Sequence, residues 1–217
     1  MIVRIELTYK TPKGAETTFS SNEMSAKDAL IIAEDIEKTG RAKRLMFADN
    51  SESSWTMKEL KKYMKDIQTE PHHVSVYFDG GFNRETMQSG LGCAIYYEQS
   101  GKTYRVRKNA RVDELESNNE AEYAALDLAL KELERIGVHH LPVKFIGDSQ
   151  VVINQLSGEW PCYEENLSRW ADRIESEMER LGIKPDYESV SRKANREADQ
   201  LASQALKDIE IMSTIEI

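Results

Sequence analysis

The sequence predicts an α/β protein in two parts, a small ββαβα unit followed by a larger unit in which strands and helices alternate. Three observations support this prediction. Near the start, apolar residues recur at every second position, as in a half-buried strand, whereas later segments repeat at helical spacing. Beyond residue 140, strand patterns and helix patterns alternate. Charge divides in the same way: residues 1–70 hold 12 basic and 12 acidic residues, so the net charge of −9 belongs to the rest.

Residues 1–70 are interpreted as a small α/β accessory domain of unknown role. Residues 3–9 alternate, and a turn at residues 12–14 leads into a second strand, which predicts a hairpin. Ser25 is the expected N-cap of a helix that ends at Gly40. A third strand covers residues 45–47, and Thr56 with Glu59 predicts a capping box for the last helix. The apolar face of that helix consists of Met57, Leu60, Met64 and Ile67. Residues 70–73 are expected to form a linker, in which His72 and His73 are either simply polar or metal ligands.

The segment from residue 74 to residue 81 organises the larger unit. Its β-branched and aromatic residues predict a buried strand, followed by Asp79, Gly80 and Gly81. We expect the strand to end at Asp79 and the chain to turn at the glycines, where a ligand backbone can approach closely. An Asp before Gly is also an ordinary turn. Residues 92–97 and 103–112 predict two more strands, which complete an antiparallel meander.

A carboxylate on the buried side of a helix is the second unusual feature. Ser117 is the expected N-cap of a helix that ends before Gly137, and Glu122 shares the apolar stripe of this helix. A buried carboxylate needs a basic partner, hydrogen bonds or a metal ion, because leaving it unpaired costs several kcal/mol. The alternative is an acid of the first helical turn with its tip in water.

Two further acids follow the same theme. Residues 143–147 predict an apolar strand that ends at Asp148, and Ser149 is placed to cap the next helix. A long amphipathic helix follows, then a strand at residues 186–191 and a helix that carries Asp199 beside its inward stripe. The isoleucines of residues 209–217 predict a strand in the C-terminal tail, which could pair within the chain or with another copy.

The ordered set of these motifs resembles a type 1 ribonuclease H domain, and the resemblance covers residues 73–208. The motifs are Asp79-Gly80-Gly81, Ser117-Asn118-Asn119 with Glu122, Asp148-Ser149, and Asn195 with Ala198-Asp199 and Leu201-Ala202. The resemblance implies a ribonuclease H-like fold, that is, a mixed five-stranded sheet flanked by helices. It also implies that Asp79, Glu122, Asp148 and Asp199 are catalytic and bind two Mg²⁺ or Mn²⁺ ions.

The implied activity is hydrolysis of the RNA strand of RNA–DNA hybrids, giving 5′-phosphate ends. Hard divalent ions prefer carboxylate oxygens, and two such ions can assist an in-line displacement at phosphorus. The resemblance also implies that the hybrid contacts six residues, namely Gly80, Gly81, Ser117, Asn118, Asn119 and Ser149. Recognition would be of the minor-groove shape and its 2′-hydroxyls and not of base sequence.

Two departures from the family keep other functions open. The loop before Asp199 carries Arg192-Lys193 where many members have a His, and acidic residues stand where some members have a basic protrusion. A weakly active or non-catalytic hybrid-binding module is therefore one alternative, and an integrase-like relative that acts on DNA is another. Protein partners, oligomeric state and preferred ion do not follow from the sequence.

Location follows from cysteine usage and hydropathy. Cys93 and Cys162 lie far apart, without the spacing of a zinc site or a disulfide framework, which fits a reducing compartment. No run approaches the roughly 18 apolar residues that a membrane helix needs. The first residues alternate and do not form a signal-peptide core. We therefore expect a soluble, cytoplasmic protein without a membrane partner.

Overall fold

The computed structural model describes residues 1–50 and 53–217, without the side chains of residues 66–68, so the predicted position of Ile67 lies outside the described residues. The chain forms two compact units, Met1–Thr69 and Glu70–Ile217. Among the described residues, no helix is both long and apolar enough to cross a membrane.

The first unit has the predicted ββαβα order with two additional strands of two residues each. Its elements are β1 (Ile2–Lys10), β2 (Glu16–Ser20), β3 (Met24–Ser25), α1 (Ala26–Lys38), β4 (Ala42–Asp49), β5 (Ser54–Trp55) and α2 (Met57–Thr69). The strands lie in the order β2-β1-β4-β5, and β3 pairs with β1.

Both predicted helix caps of the first unit are present. Ser25 Oγ accepts the Asp28 N–H at 3.1 Å. Thr56 and Glu59 form a reciprocal capping box, in which the Thr56 N–H donates to Glu59 Oε2 at 2.8 Å and the Glu59 N–H donates to Thr56 Oγ1 at 3.2 Å. Local sequence therefore determines where α1 and α2 begin.

The second unit is a mixed sheet covered by helices. Its elements are β6 (His72–Asn83), β7 (Gln88–Gln99), β8 (Lys102–Val112), α3 (Asn118–Arg135), β9 (Pro142–Gly147), α4 (Gln150–Leu156), α5 (Glu165–Leu181), β10 (Lys184–Ser189), α6 (Arg196–Ala205) and β11 (Met212–Glu216). The strand order is β10-β9-β6-β7-β8-β11. β9 is parallel to β6 and to β10, whereas the meander and β11 are antiparallel. The predicted mixed sheet is confirmed, with one strand more than the expected five.

The sixth strand is the C-terminal tail, which pairs within the chain. β11 lies antiparallel to β8. The buried side chain of Asn109 connects the tail to the core, because its Nδ2 donates to Leu201 O (3.0 Å) and Ile209 O (2.9 Å). Its Oδ1 accepts the Ile211 N–H at 2.7 Å. One amide side chain thus satisfies three backbone groups where the tail leaves α6.

The prediction that the first strand of this unit ends at Asp79 is wrong. β6 continues through both glycines to Asn83, in register with β7 down to the Asn83–Gln88 pair. The glycines are required by close packing and not by a turn. A Cβ atom at Gly80 would lie 2.1 Å from the backbone carbon of Ala121, so only glycine lets α3 approach the strand this closely.

The adjacent strand uses the same device against another helix. β7 begins at Gln88, earlier than the predicted residue 92, and a Cβ atom at Gly90 or Gly92 would lie 2.1 or 2.5 Å from a carbonyl oxygen of α6. The sheet therefore contacts the backbones of α3 and α6 directly. This places Glu122 of α3 and Asp199 of α6 next to the middle of β6.

Candidate metal centre

Three of the four predicted acids meet above the centre of the sheet. Asp79 lies in the middle of β6, Glu122 in the first turns of α3, and Asp148 directly after β9. One carboxylate oxygen of each lies within 4.8 Å of the other two. Asp79 is 6% exposed and Glu122 is 4% exposed, whereas Asp148 is half-buried. We call these three residues the carboxylate trio.

Backbone and amide groups hold the trio in place. Glu122 Oε2 accepts the Gly80 N–H at 3.2 Å, so the glycine that admits α3 also orients its carboxylate. The fully buried Asn195 donates from Nδ2 to Phe78 O (2.8 Å) and to Asp148 Oδ1 (3.3 Å). Asn195 therefore connects the loop before α6 to β6 and to the third acid.

The negative charge of the trio is not compensated by the groups around it. Burial, and then the charges of Asp148 and Asp199, raise the pKa of Asp79 to about 7. Burial, and then Asp79 and Asp148, raise the pKa of Glu122 to about 9. The Gly80 N–H and the guanidinium of Arg192 act in the opposite direction on the pKa of Glu122. Buried carboxylates in this state are neutralised either by protons or by a cation.

The donor set fits a hard divalent cation. Each member of the trio contributes carboxylate oxygen, which Mg²⁺ and Mn²⁺ prefer to nitrogen or sulfur. The half-buried edge at Asp148 leaves room for the water ligands that Mg²⁺ retains. Because the like charges raise the pKa of both buried acids, a cation at this position would remove an unfavourable interaction.

The fourth predicted acid, Asp199, lies at the same cavity but is paired with an arginine. Arg192 donates to Asp199 Oδ1 from Nε at 3.0 Å and from Nη2 at 2.7 Å. This ion pair raises the pKa of Arg192 above its ordinary value. The Arg192 side chain is 79% exposed, so water screens the pair strongly. Asp199 is thus near the trio without being part of its 4.8 Å cluster.

The trio opens into a cavity of about 420 Å³ that most of the predicted contact residues line. Gly80, Gly81, Asn118 and Ser149 are among the lining residues, together with Arg192 and Asp199. Asn118 Oδ1 accepts the Phe82 N–H at 3.3 Å, which fixes the orientation of its amide.

The other two predicted contact residues are placed differently. Ser117 accepts the Glu120 N–H at 3.2 Å as the N-cap of α3. Ser117 and Asn119 are not in the lining as far as the described residues define it. Ser149, which does line the cavity, also caps α4, because its hydroxyl accepts the Val152 N–H at 3.4 Å.

Two residues of the site were not predicted to belong to it. In the sequence, Arg192 stands in a loop where many family members have a His, and Asn195 is one residue of the last motif. The signal for Arg192 is a cation seven residues before an acid, which is too common to be informative. For Asn195, the signal is a polar residue that is fully buried, a property that requires the structure.

Comparisons with known proteins agree on one fold. A family model described as reverse transcriptase-like matches residues 77–205. An uncharacterized protein of Bacillus subtilis, YpeP, is 42% identical over 193 residues, which are 89% of this chain and 85% of that protein. Ribonuclease HI of Halobacterium salinarum is 31% identical over 136 residues, 62% of this chain and 65% of the enzyme.

Solved structures give the same result for the second unit. RNase H1 of Halobacterium salinarum superposes with a TM-score of 0.53 and 27% identity, covering 62% of this chain and 98% of that one. LC11-RNase H1, which was isolated from compost by a metagenomic approach, is similar in its complex with an RNA/DNA hybrid. The TM-score is 0.56 and the identity 26%, over 62% of this chain and 97% of that one.

Proposed function

The chain belongs to the reverse transcriptase-like family and contains a ribonuclease H-like domain, and we propose that it is a metal-dependent endonuclease. Its substrate is the RNA strand of an RNA–DNA hybrid, and it uses two Mg²⁺ or Mn²⁺ ions. Asp79, Glu122, Asp148 and Asp199 are the proposed catalytic and metal-binding residues.

The observation that carries the proposal is the convergence of the carboxylate trio at an open cavity. Asp79, Glu122 and Asp148 lie 43 and 26 positions apart along the chain, yet one carboxylate oxygen of each lies within 4.8 Å of the other two. Packing alone does not favour a cluster of like charges, because Asp148 raises the pKa of Asp79, and Asp79 and Asp148 raise the pKa of Glu122. A site that binds divalent cations explains why the fold tolerates this arrangement.

The chemistry divides between the ions and the protein. When bound, the ions neutralise the phosphate and assist the attack of water on phosphorus. The protein groups hold the carboxylates in register: Gly80 orients Glu122, and Asn195 orients Asp148. Asp199 can turn from Arg192 towards the trio, since its partner is mostly exposed.

The lining of the cavity supports recognition of a hybrid. Gly80 and Gly81 expose backbone next to the trio, and Asn118 offers an amide at the rim. Such small groups suit the wide, shallow minor groove of an A-like duplex, where 2′-hydroxyls identify the RNA strand. The hybrid complex of LC11-RNase H1 provides the analogy for this substrate.

A non-catalytic hybrid-binding module is the second candidate, and the pairing of Asp199 with Arg192 favours it. In that case Asp199 would stay paired with Arg192 and would not bind a metal ion, so the protein would bind the hybrid without cutting it. A third outcome is a relative that acts on DNA, since the fold alone does not define the substrate.

The deciding experiment follows cleavage of a labelled RNA–DNA hybrid with Mg²⁺ or Mn²⁺. The proposal predicts cut RNA with 5′-phosphate ends and loss of cutting in Asp148→Asn. Glu188→Gln, at the end of β10, is the matched control and should cut as the wild type does. Binding without product would favour the second candidate, and cutting of a DNA duplex would favour the third. Equal cutting by Asp148→Asn would rule the proposal out.

The site of action that we propose is the cytoplasm. Cys93 and Cys162 are both free thiols, which fits a reducing compartment.

A further inference from the structure

We propose that His72, His73 and Glu98 form a second metal site, which binds a borderline transition ion of the Zn²⁺ class. The site lies at the start of β6, seven residues and roughly 20 Å along the strand from Asp79. It is therefore separate from the carboxylate trio. Its ligands are two imidazoles and one carboxylate, a set that suits Zn²⁺ or Ni²⁺ better than Mg²⁺.

The backbone places both imidazoles beside the same carboxylate. Neighbouring residues of a regular strand point to opposite faces of the sheet. Here the register with β7 shifts between His72 and Ser75, and His73 has a φ of +52°. This bulge brings the two rings to a centroid distance of 5.0 Å, next to Glu98, which is the β7 residue opposite His72. The regular strand geometry is therefore interrupted at the position where these three side chains meet.

The distances match those around a small ion. Oε2 of Glu98 lies 3.6 Å from His72 Nε2 and 3.3 Å from His73 Nδ1. Ligand atoms at about 2.0–2.1 Å from a tetrahedral Zn²⁺ lie roughly 3.3 Å from each other. One ligand atom from each of the three residues lies within 4.8 Å of the other two, so modest side-chain rotation suffices to close the site.

The hydrogen bonding of His72 supplies an independent argument. Its Nδ1 lies 3.0 Å from Glu70 O, and a carbonyl oxygen can only accept, so Nδ1 is the donor in this contact. The other ring nitrogen, Nε2, is therefore the atom that can bind an ion, and it faces the carboxylate of Glu98 at 3.6 Å. A backbone carbonyl that binds the far nitrogen is also the usual partner of a metal-bound histidine.

A proton on one imidazole would satisfy only the contact of that ring with Glu98, whereas a divalent ion would bind His72, His73 and Glu98 together. The His73 side chain is 75% exposed, so the ion would keep an open position for water. Its effect on the protein is to fasten the first residues of β6 to β7, where the ladder is interrupted by the bulge.

The test is calorimetric titration of Zn²⁺ into the full chain without an affinity tag, in excess Mg²⁺ so that the carboxylate trio is occupied. We expect one Zn²⁺ per chain at this site. His72→Ala/His73→Ala should weaken binding by at least about tenfold, the lower end of the effect of disturbing even an outer partner of a ligand. Glu98→Gln should weaken it as well.

The matched control is the other adjacent histidine pair, His139 and His140. These rings are 5.5 Å apart, and His140 also has a positive φ of +54°, but the described residues provide no third ligand there. His139→Ala/His140→Ala should bind Zn²⁺ as the wild type does, and Co²⁺ should give a visible absorption band only when His72 and His73 are present. The inference is overturned if the wild type binds no Zn²⁺, if His72→Ala/His73→Ala binds it equally well, or if the control loses as much.

Discussion

Replacing Glu122 by Gln should make the metal-free protein more stable at neutral and alkaline pH. The pKa of this carboxyl is raised from its ordinary 4.5 to about 9, chiefly by burial and then by Asp79 and Asp148. Between these values the folded state holds a proton that the unfolded state releases, so stability falls as pH rises through this window. At about pH 7.5 the cost is on the order of 4 kcal/mol, because one pKa unit corresponds to about 1.4 kcal/mol.

Glutamine removes this cost and keeps the acceptor that the Gly80 N–H requires. Unfolding by urea should be followed with a chelator at about pH 6 and about pH 8, and again with Mg²⁺. Without metal, we expect Glu122→Gln to exceed the wild type in stability, more so at the higher pH. With Mg²⁺, the wild type should gain stability and the variant much less, because binding to the folded state alone stabilises it.

The matched control is Glu120→Gln, which changes a buried acid of the same helical turn outside the trio. Glu120 Oε2 accepts the Glu116 N–H at 2.7 Å, a bond that glutamine can also accept. This variant should retain the wild-type dependence on pH and on Mg²⁺. The reasoning is refuted if Glu122→Gln is less stable than the wild type at both pH values without metal, or if Glu120→Gln reproduces its behaviour.

Three other changes test the packing and charges around the site and the anchoring of the C-terminal tail. Gly80→Ala places a Cβ atom 2.1 Å from the backbone of Ala121, so thermal unfolding should show that the protein has lost about 3 kcal/mol or more of stability. An unchanged melting temperature would contradict the close approach of α3. Arg192→Ala removes the ion-pair partner of Asp199, so Mn²⁺ binding measured by calorimetry should tighten. The expected gain is up to about fivefold, which corresponds to the free energy of an exposed ion pair. Weaker binding would show that Arg192 does not compete with the ion. Asn109→Ala removes the hydrogen-bond partner of three backbone groups, and each buried group left without a partner costs about 1–3 kcal/mol. Hydrogen exchange should therefore accelerate in β11 before the rest of the sheet. A uniform increase in exchange over the whole sheet would contradict this local anchor.

The sequence predicts the order of the longer elements and the three acids that meet in the candidate metal centre. Strand patterns before Asp79 and Asp148, and a helical stripe that includes Glu122, each placed one acid on a rigid element. The starts of α1 and α3 follow from Ser25 and Ser117, because an N-cap acts through neighbouring residues.

Features that depend on contacts between distant segments were not predictable. The glycines after Asp79 suggest a turn, because in a sequence a glycine needed for close packing cannot be distinguished from a glycine needed for a turn. Gly80 is fixed by Ala121, which lies 41 positions later in the chain. The pairing of Asp199 with Arg192 depends on side-chain rotation, and the choice of β8 as partner of the tail depends on Asn109. The periodicity of a single segment contains none of this information.

Anomalous diffraction from crystals soaked with Mn²⁺ tests the central claim most directly, since it locates the ions without reference to activity. The account predicts strong peaks within coordination distance of Asp79, Glu122 and Asp148, with Asp199 turned away from Arg192 towards one of them. Crystals that bind Mn²⁺ elsewhere while the space among these three carboxylates stays empty would contradict it.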